Sequence, residues 1–136
     1  GKKYKCNFDA SFNHENHHSN VGWVVRDHCG IQCFWGSTSI GQTSSPLEAE
    51  AKALLLAMQQ VWCTGLRSLC FEGYCKTLFD VLEKKSAEFT IKKICSDISY
   101  WTSKFVECKL QHTKRSNNIP AHLLAKKGPP NSIFFS

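Results

Sequence analysis

Asp9 and Glu50 are the acidic residues best placed to do chemistry. Glu50 belongs to Ser44-Ser45-Pro46-Leu47-Glu48-Ala49-Glu50-Ala51-Lys52-Ala53-Leu54-Leu55-Leu56-Ala57-Met58-Gln59-Gln60-Val61-Trp62, the clearest helix in the chain. At about 100° per residue, Leu47, Ala51, Leu54, Leu55, Met58, Val61 and Trp62 form one apolar arc. Glu50 falls inside this arc, flanked by Leu54, Ala57 and Val61, whereas Glu48 falls at its far edge beside Lys52 and Gln59. A carboxylate turned towards a core needs hydrogen-bond donors, a cation or a metal. Glu50 is therefore either a first-turn residue at the rim of the core, satisfied by backbone N–H groups, or an acid aimed at a site. Asp9 sits in a strand-like alternation, Lys5, Asn7, Asp9 and Ser11 against Cys6, Phe8, Ala10 and Phe12. Alone, it reads equally as a surface residue. Tyr74 closes another short apolar strand. Acids brought together from separate elements repel one another and usually imply a divalent cation.

The elements that must position these side chains follow from period and punctuation. Tyr4 to Phe12, Val21 to Arg26 and Ile31 to Ile40 read as three antiparallel strands, with a polar His-rich loop at 13–20 and a turn at Asp27-His28-Cys29-Gly30. Ser44 or Ser45 caps the helix, Pro46 suits its first turn, and Thr64-Gly65 ends it. Leu66 to Gly73 is a fourth strand, and a strand after a crossover helix pairs in parallel. Two helices follow, Cys75 to Lys85 and Thr90 to Lys104, then a fifth strand, Phe105 to His112. Pro120 opens a last helix, Ala121 to Lys127. The expected fold is α/β, a five-stranded mixed sheet (three antiparallel strands, then two parallel) flanked by helices. One domain spans residues 1–136, with a loosely held tail at 129–136.

Composition bounds the function. Hydrophobic residues at 42% and charged residues at 21% suit a single folded core. No apolar run approaches the ~20 residues that cross a bilayer, so no membrane partner is expected. The net charge of +6 is concentrated late: Lys104, Lys109, Lys114, Arg115, Lys126 and Lys127 stand against Glu107 alone after residue 100. That distribution suits a polyanionic partner as well as a solvated basic face. Eight cysteines without a CxxC pair indicate free, mostly buried thiols in a reducing compartment, hence an intracellular protein, nuclear or cytoplasmic, rather than a secreted one. Cys29 and Cys33 with His14, His17, His18 and His28 match no standard zinc spacing.

Five phrases in order along the chain carry a resemblance. They are Lys5-Cys6-Asn7-Phe8-Asp9-Ala10-Ser11-Phe12; Gly22-Trp23-Val24-Val25-Arg26-Asp27 with Gly30; Ser45-Pro46-Leu47-Glu48-Ala49-Glu50-Ala51; Phe71-Glu72-Gly73-Tyr74-Cys75-Lys76-Thr77-Leu78; and His112, Arg115 and Asn118 with Ala121-His122-Leu123-Leu124-Ala125-Lys126. Together they resemble the ribonuclease H superfamily, particularly the plant domains of that fold related to retroelement reverse transcriptases. The resemblance implies cleavage of the RNA strand of an RNA/DNA hybrid by two divalent ions, Mg²⁺ or Mn²⁺, held ~3.5–4 Å apart. No cofactor is required for the fold. The four acidic positions of the family fall on Asp9, Glu50, Tyr74 and His122. Asp9 and Glu50 match as metal ligands, and His122 replaces an acid with a side chain that ligates weakly or shuttles a proton.

Tyr74 departs from the pattern. A phenol is a poor ligand for a hard cation and adds bulk where the ion would sit. Glu72, on the same strand face, begins about 6.6 Å away, so its rescue of the site is doubtful on distance alone. The resemblance also implies substrate contacts from Ser11, His112, Arg115 and Asn118, and from the basic helical residues Lys84 and Lys85, with Lys92, Lys93 and Trp101 nearby. Asn118 as a helix cap and Arg115 as a solvated charge are the plainer alternatives. The sequence therefore supports a hybrid-acting domain with weakened or lost hydrolysis. Its alternative is a catalytically inactive module that binds nucleic acid or a protein partner.

Overall fold

The computed structural model describes residues 3–85, 89–127 and 132–135. β1 (Tyr4–Phe12) pairs antiparallel with β2 (His18–Arg26), and β2 with β3 (Gln32–Gln42). α1 (Pro46–Cys63) crosses over to β4 (Ser68–Gly73), which lies parallel to β1 in the register Asn7↔Glu72 and Phe8↔Gly73. α2 (Lys76–Lys84) and α3 (Phe89–Lys104) lead to β5 (Glu107–His112), parallel to β4. A 3₁₀ turn (Arg115–Asn117) precedes α4 (Ile119–Lys127). The expected five strands thus stand in the order β3-β2-β1-β4-β5, three antiparallel and two parallel, with β1 central. Within the segment expected as a loose tail, β6 (Ser132–Phe135) adds a sixth, antiparallel strand beside β3.

The sheet is covered differently on its two faces. Cys6, Phe8, Val21, Trp23, Val25, Leu69 and Phe71 meet Leu54, Ala57, Met58 and Val61 of α1, with Leu78 and Ile98 closing the core. Strand alternation sends Asn7, Asp9, Gly22 and Val24 to the opposite face. α4 packs there, so closely that a Cβ on Gly22 would lie 2.6 Å from the Ala125 nitrogen and 2.7 Å from the Ala121 oxygen. Glycine at position 22 is what lets α4 approach the sheet.

The start of α1 is set by local chemistry. Ser45 is the N-cap, its hydroxyl accepting from the Glu48 N–H at 3.1 Å, and Pro46 is the first helical residue. Glu48 returns to the Ser44 N–H at 3.1 Å and pairs with Lys52 at 3.2 Å. The buried side of the helix runs through Ala49, Glu50, Ala53, Leu54, Ala57 and Val61, so Glu50 is nearer its centre than the apolar arc alone suggests. It is the fifth helical residue and belongs to the second turn, not the first.

Several boundaries shift by one to three residues, and two of these shifts follow directly from pairing or packing. β2 begins at His18 because Ser19 and Asn20 pair with Phe12 and Ser11, which takes three residues from the predicted loop. Phe105 leaves β5 and enters the core, stacking edge-on against Trp62 and Phe71. The eight cysteines are free, but only Cys6 is buried; Cys29 and Cys63 are exposed. The remaining five thiols are partly buried. Among the described residues, Asp27, His28 and Cys29 bring ligand atoms within 4.8 Å, on an exposed turn.

Candidate functional site

At the carboxyl ends of β1 and β4, an open cleft of about 590 Å³ is lined by Asp9, Ala10, Phe12, His14, Pro46, Glu50, Tyr74, Cys75, Lys76, Thr77, His112 and Arg115. The parallel register explains the convergence: with Phe8 opposite Gly73, the next residues, Asp9 and Tyr74, stand at the same level. α1 then enters over the end of β1. Glu50 Oε1 accepts from the Ala10 N–H at 2.6 Å, a backbone bond from the neighbouring strand. A backbone donor thus satisfies one oxygen, and the residue lines the cleft.

Asp9 is 2% exposed and works as a hub. Its Oδ2 accepts from Arg115 Nη1 at 2.9 Å and lies 2.8 Å from His122 Nδ1. With Asp9 ionised, that imidazole nitrogen carries the proton and donates it. Glu50 Oε2 is buried and has no hydrogen-bond partner among the described residues. Burial, and then the charge of Asp9, push Glu50 well above the ordinary carboxylate range.

Tyr74, 43% exposed, lies beneath Arg115, whose guanidinium carbon is 4.0 Å from the ring centroid. His112 stands 6.2 Å from the same ring. A residue 41 positions further along the chain therefore covers the phenol while reaching Asp9 with its edge. Sequence spacing offers no sign of this stack. Nor does it single out Lys76 and Thr77, which enter the cleft because α2 starts immediately after β4.

The other candidate residues lie as follows. Asn118 is fully buried; its amide donates to the Phe8 carbonyl at 2.9 Å, and its oxygen accepts from Asn7 at 3.1 Å. It locks the start of α4 to β1 and presents nothing to a phosphate. Ser11 commits its hydroxyl to the Ala125 carbonyl at 3.0 Å, away from the cleft. Glu72 cannot replace an acid at position 74. It is buried two register steps back, where it accepts from Gln111 at 3.0 Å and Asn7 at 3.4 Å and pairs with Lys5 and Arg26. His122 supports Asp9 from the α4 side rather than lining the cleft. Lys84 and Lys85 are exposed at the far end of α2, about 12 Å of helix from Lys76. Trp101 packs edge-on against Trp62, with ring centroids 5.9 Å apart, and Lys93 pairs with Asp97 at 2.7 Å.

A central strand and a crossover helix that deliver carboxyl groups to one sheet end, closed by a last helix behind them, define a ribonuclease H-like domain. The chain belongs to the Reverse transcriptase-like family, whose profile matches residues 7–128. RNase H1 from the halophilic archaeon Halobacterium salinarum superposes with a TM-score of 0.85 at 20% identity, covering 92% of this chain and 96% of that one. LC11-RNase H1, isolated from compost and solved in complex with an RNA/DNA hybrid, gives 0.83 at 20% identity, covering 92% and 95%. The N-terminal RNase H domain of a Mycobacterium tuberculosis protein gives 0.83 at 16% identity, covering 93% of each. At these identities the likeness is one of fold. No curated protein matches the sequence.

The side chains present do not fit a pair of divalent ions. Glu50 Oε2, a buried oxygen without a partner among the described residues, is the one atom that suits a cation. Asp9 Oδ2 is already shared by Arg115 and His122. The third corner holds a phenol covered by a guanidinium. Two carboxylates remain where two hard cations would need several oxygen ligands.

Proposed function

We propose that this chain is a nucleic-acid-binding domain of the ribonuclease H type that takes RNA/DNA hybrids and has lost two-ion hydrolysis. The observation that carries the reading is Tyr74 at the end of β4, stacked under Arg115 where an acid would be needed. Binding does not require that acid. The likeness to LC11-RNase H1, solved with a hybrid, supports the substrate class, and the basic C-terminal third suits a polyanion. His14, Lys76, His112 and Arg115 offer donors around the cleft. Lys84 and Lys85, exposed at the far end of α2, add positive charge on the flank of the domain. Their contribution is charge, sensitive to salt.

A weakened nuclease is the second reading, favoured by the meeting of Asp9, Glu50 and His122. Incubation of labelled hybrid with the domain in Mg²⁺ and in Mn²⁺, beside Tyr74→Asp, separates the two. The binder reading expects no cleavage by the native sequence, and an affinity that falls steeply as salt rises. Cleavage by the native sequence that vanishes in Asp9→Ala would sink it. An interaction insensitive to salt would point instead to a protein partner.

A further inference from the structure

Resting on that reading, we infer that Arg115, clamped between Tyr74 and Asp9, is the resident cation of the cleft, standing in for a metal ion, and that a backbone phosphate is held there without one. The geometry assigns each part of the guanidinium a task. Its face lies on the Tyr74 ring, with the carbon 4.0 Å from the centroid, and Nη1 meets Asp9 Oδ2 at 2.9 Å. A guanidinium is permanently charged, stacks on aromatic faces and carries five donors in a fixed fork. The bond to Asp9 uses one of them, and with the Arg115 side chain 39% exposed the fork remains open to an incoming anion.

Charge balance points the same way. The cleft is lined by two acids, Asp9 and Glu50, and by two permanent cations, Arg115 and Lys76. Lys76 is engaged by an exposed pair with Asp80 at 3.5 Å, which leaves it reachable by an anion. Acids and cations therefore cancel even with Glu50 ionised. A carboxylate in place of Tyr74 would tip the cleft negative and call for an added cation, while also removing the ring on which Arg115 rests. Tyrosine at position 74 both discards a metal ligand and builds the seat for its replacement. His122, bound to the same Asp9 oxygen from the other side, keeps that oxygen aimed at Arg115.

The test is Mn²⁺ binding without nucleic acid, followed by calorimetry and by the loss of the free-ion paramagnetic resonance signal. The native domain should bind Mn²⁺ at least about tenfold more weakly than Tyr74→Asp. Arg115→Lys, a milder change that keeps the charge but loses the stack and the fork, should bind Mn²⁺ more tightly than the native domain. Native Mn²⁺ affinity equal to that of Tyr74→Asp would overturn the proposal, whatever the hybrid assays return. With a short RNA/DNA hybrid as probe, native affinity should be the same in excess EDTA as in Mg²⁺ at matched ionic strength. A loss of tenfold or more in EDTA would also overturn it.

Discussion

Glu50 carries the sharpest consequence at the scale of single residues. Burial first, and the charge of Asp9 second, raise its carboxyl well above the usual range. The folded state then keeps a proton that the unfolded chain, with a carboxyl pKa of about 4.3, has released. Between the unfolded and folded values the native state binds more protons, so stability falls as pH rises through that window. Glu50→Gln cannot ionise, and its amide oxygen can still accept from Ala10. The variant should therefore gain stability relative to the native domain towards pH 8 and show little difference at pH 4. Urea unfolding at the two pH values checks this, and an identical effect at both would contradict it. Asn118 offers a second contrast. Truncation to alanine removes the side-chain donor to the buried Phe8 carbonyl and one of the three acceptors around the Asn7 amide, at a cost of about 1–3 kcal/mol. Weaker hybrid binding in Asn118→Ala with unchanged stability would restore the phosphate-contact role that its burial denies.

At the scale of elements, α1 and α4 hold the site from opposite faces of β1. α1 depends on its first turn: Ser45→Ala removes the acceptor for the Glu48 N–H and should cost about 1 kcal/mol. α4 depends on Gly22. A methyl group there would press on backbone atoms of Ala121 and Ala125 rather than on a flexible side chain, so Gly22→Ala should cost about 1–3 kcal/mol and displace His122 from Asp9. Thermal unfolding, together with the NMR signal of the His122 ring, reports both effects. α1 was readable from sequence down to its cap because Ser45, Pro46 and Glu48 act on neighbours within one turn. β2 was read three residues short because His18, Ser19 and Asn20 are polar, and their pairing is decided by Phe12 and Ser11 across the sheet.

At the scale of the molecule, charge and sheet topology decide what the cleft can accept. If the cleft tracks a phosphate backbone, Lys76→Ala should weaken hybrid binding evenly across sequences and reduce the salt-dependence slope by about 1. Fluorescence anisotropy between low and physiological salt measures this, and an unchanged slope would remove Lys76 from the interface. Removal of divalent ions should leave thermal stability unchanged, because the core and the Asp9 hub are built from side chains alone.

The sequence by itself determined the order of strands and helices, the capped start of α1, the inward Glu50, and the absence of an acid at position 74. These are matters of period, cap chemistry and residue type, each settled within a few neighbouring positions. It also supplied the phrases that resemble ribonuclease H domains. Only the tertiary structure decided what surrounds Asp9: Arg115 lies 106 positions away, His122 lies 113 away, and Tyr74 underlies the guanidinium. It likewise turned Asn118, Ser11 and Glu72 from reachable polar groups into internal ties. Their types are compatible with either role, and the difference lies in whether a packed element occupies their donors and acceptors. That occupancy depends on contacts between distant parts of the chain, which no local spacing encodes.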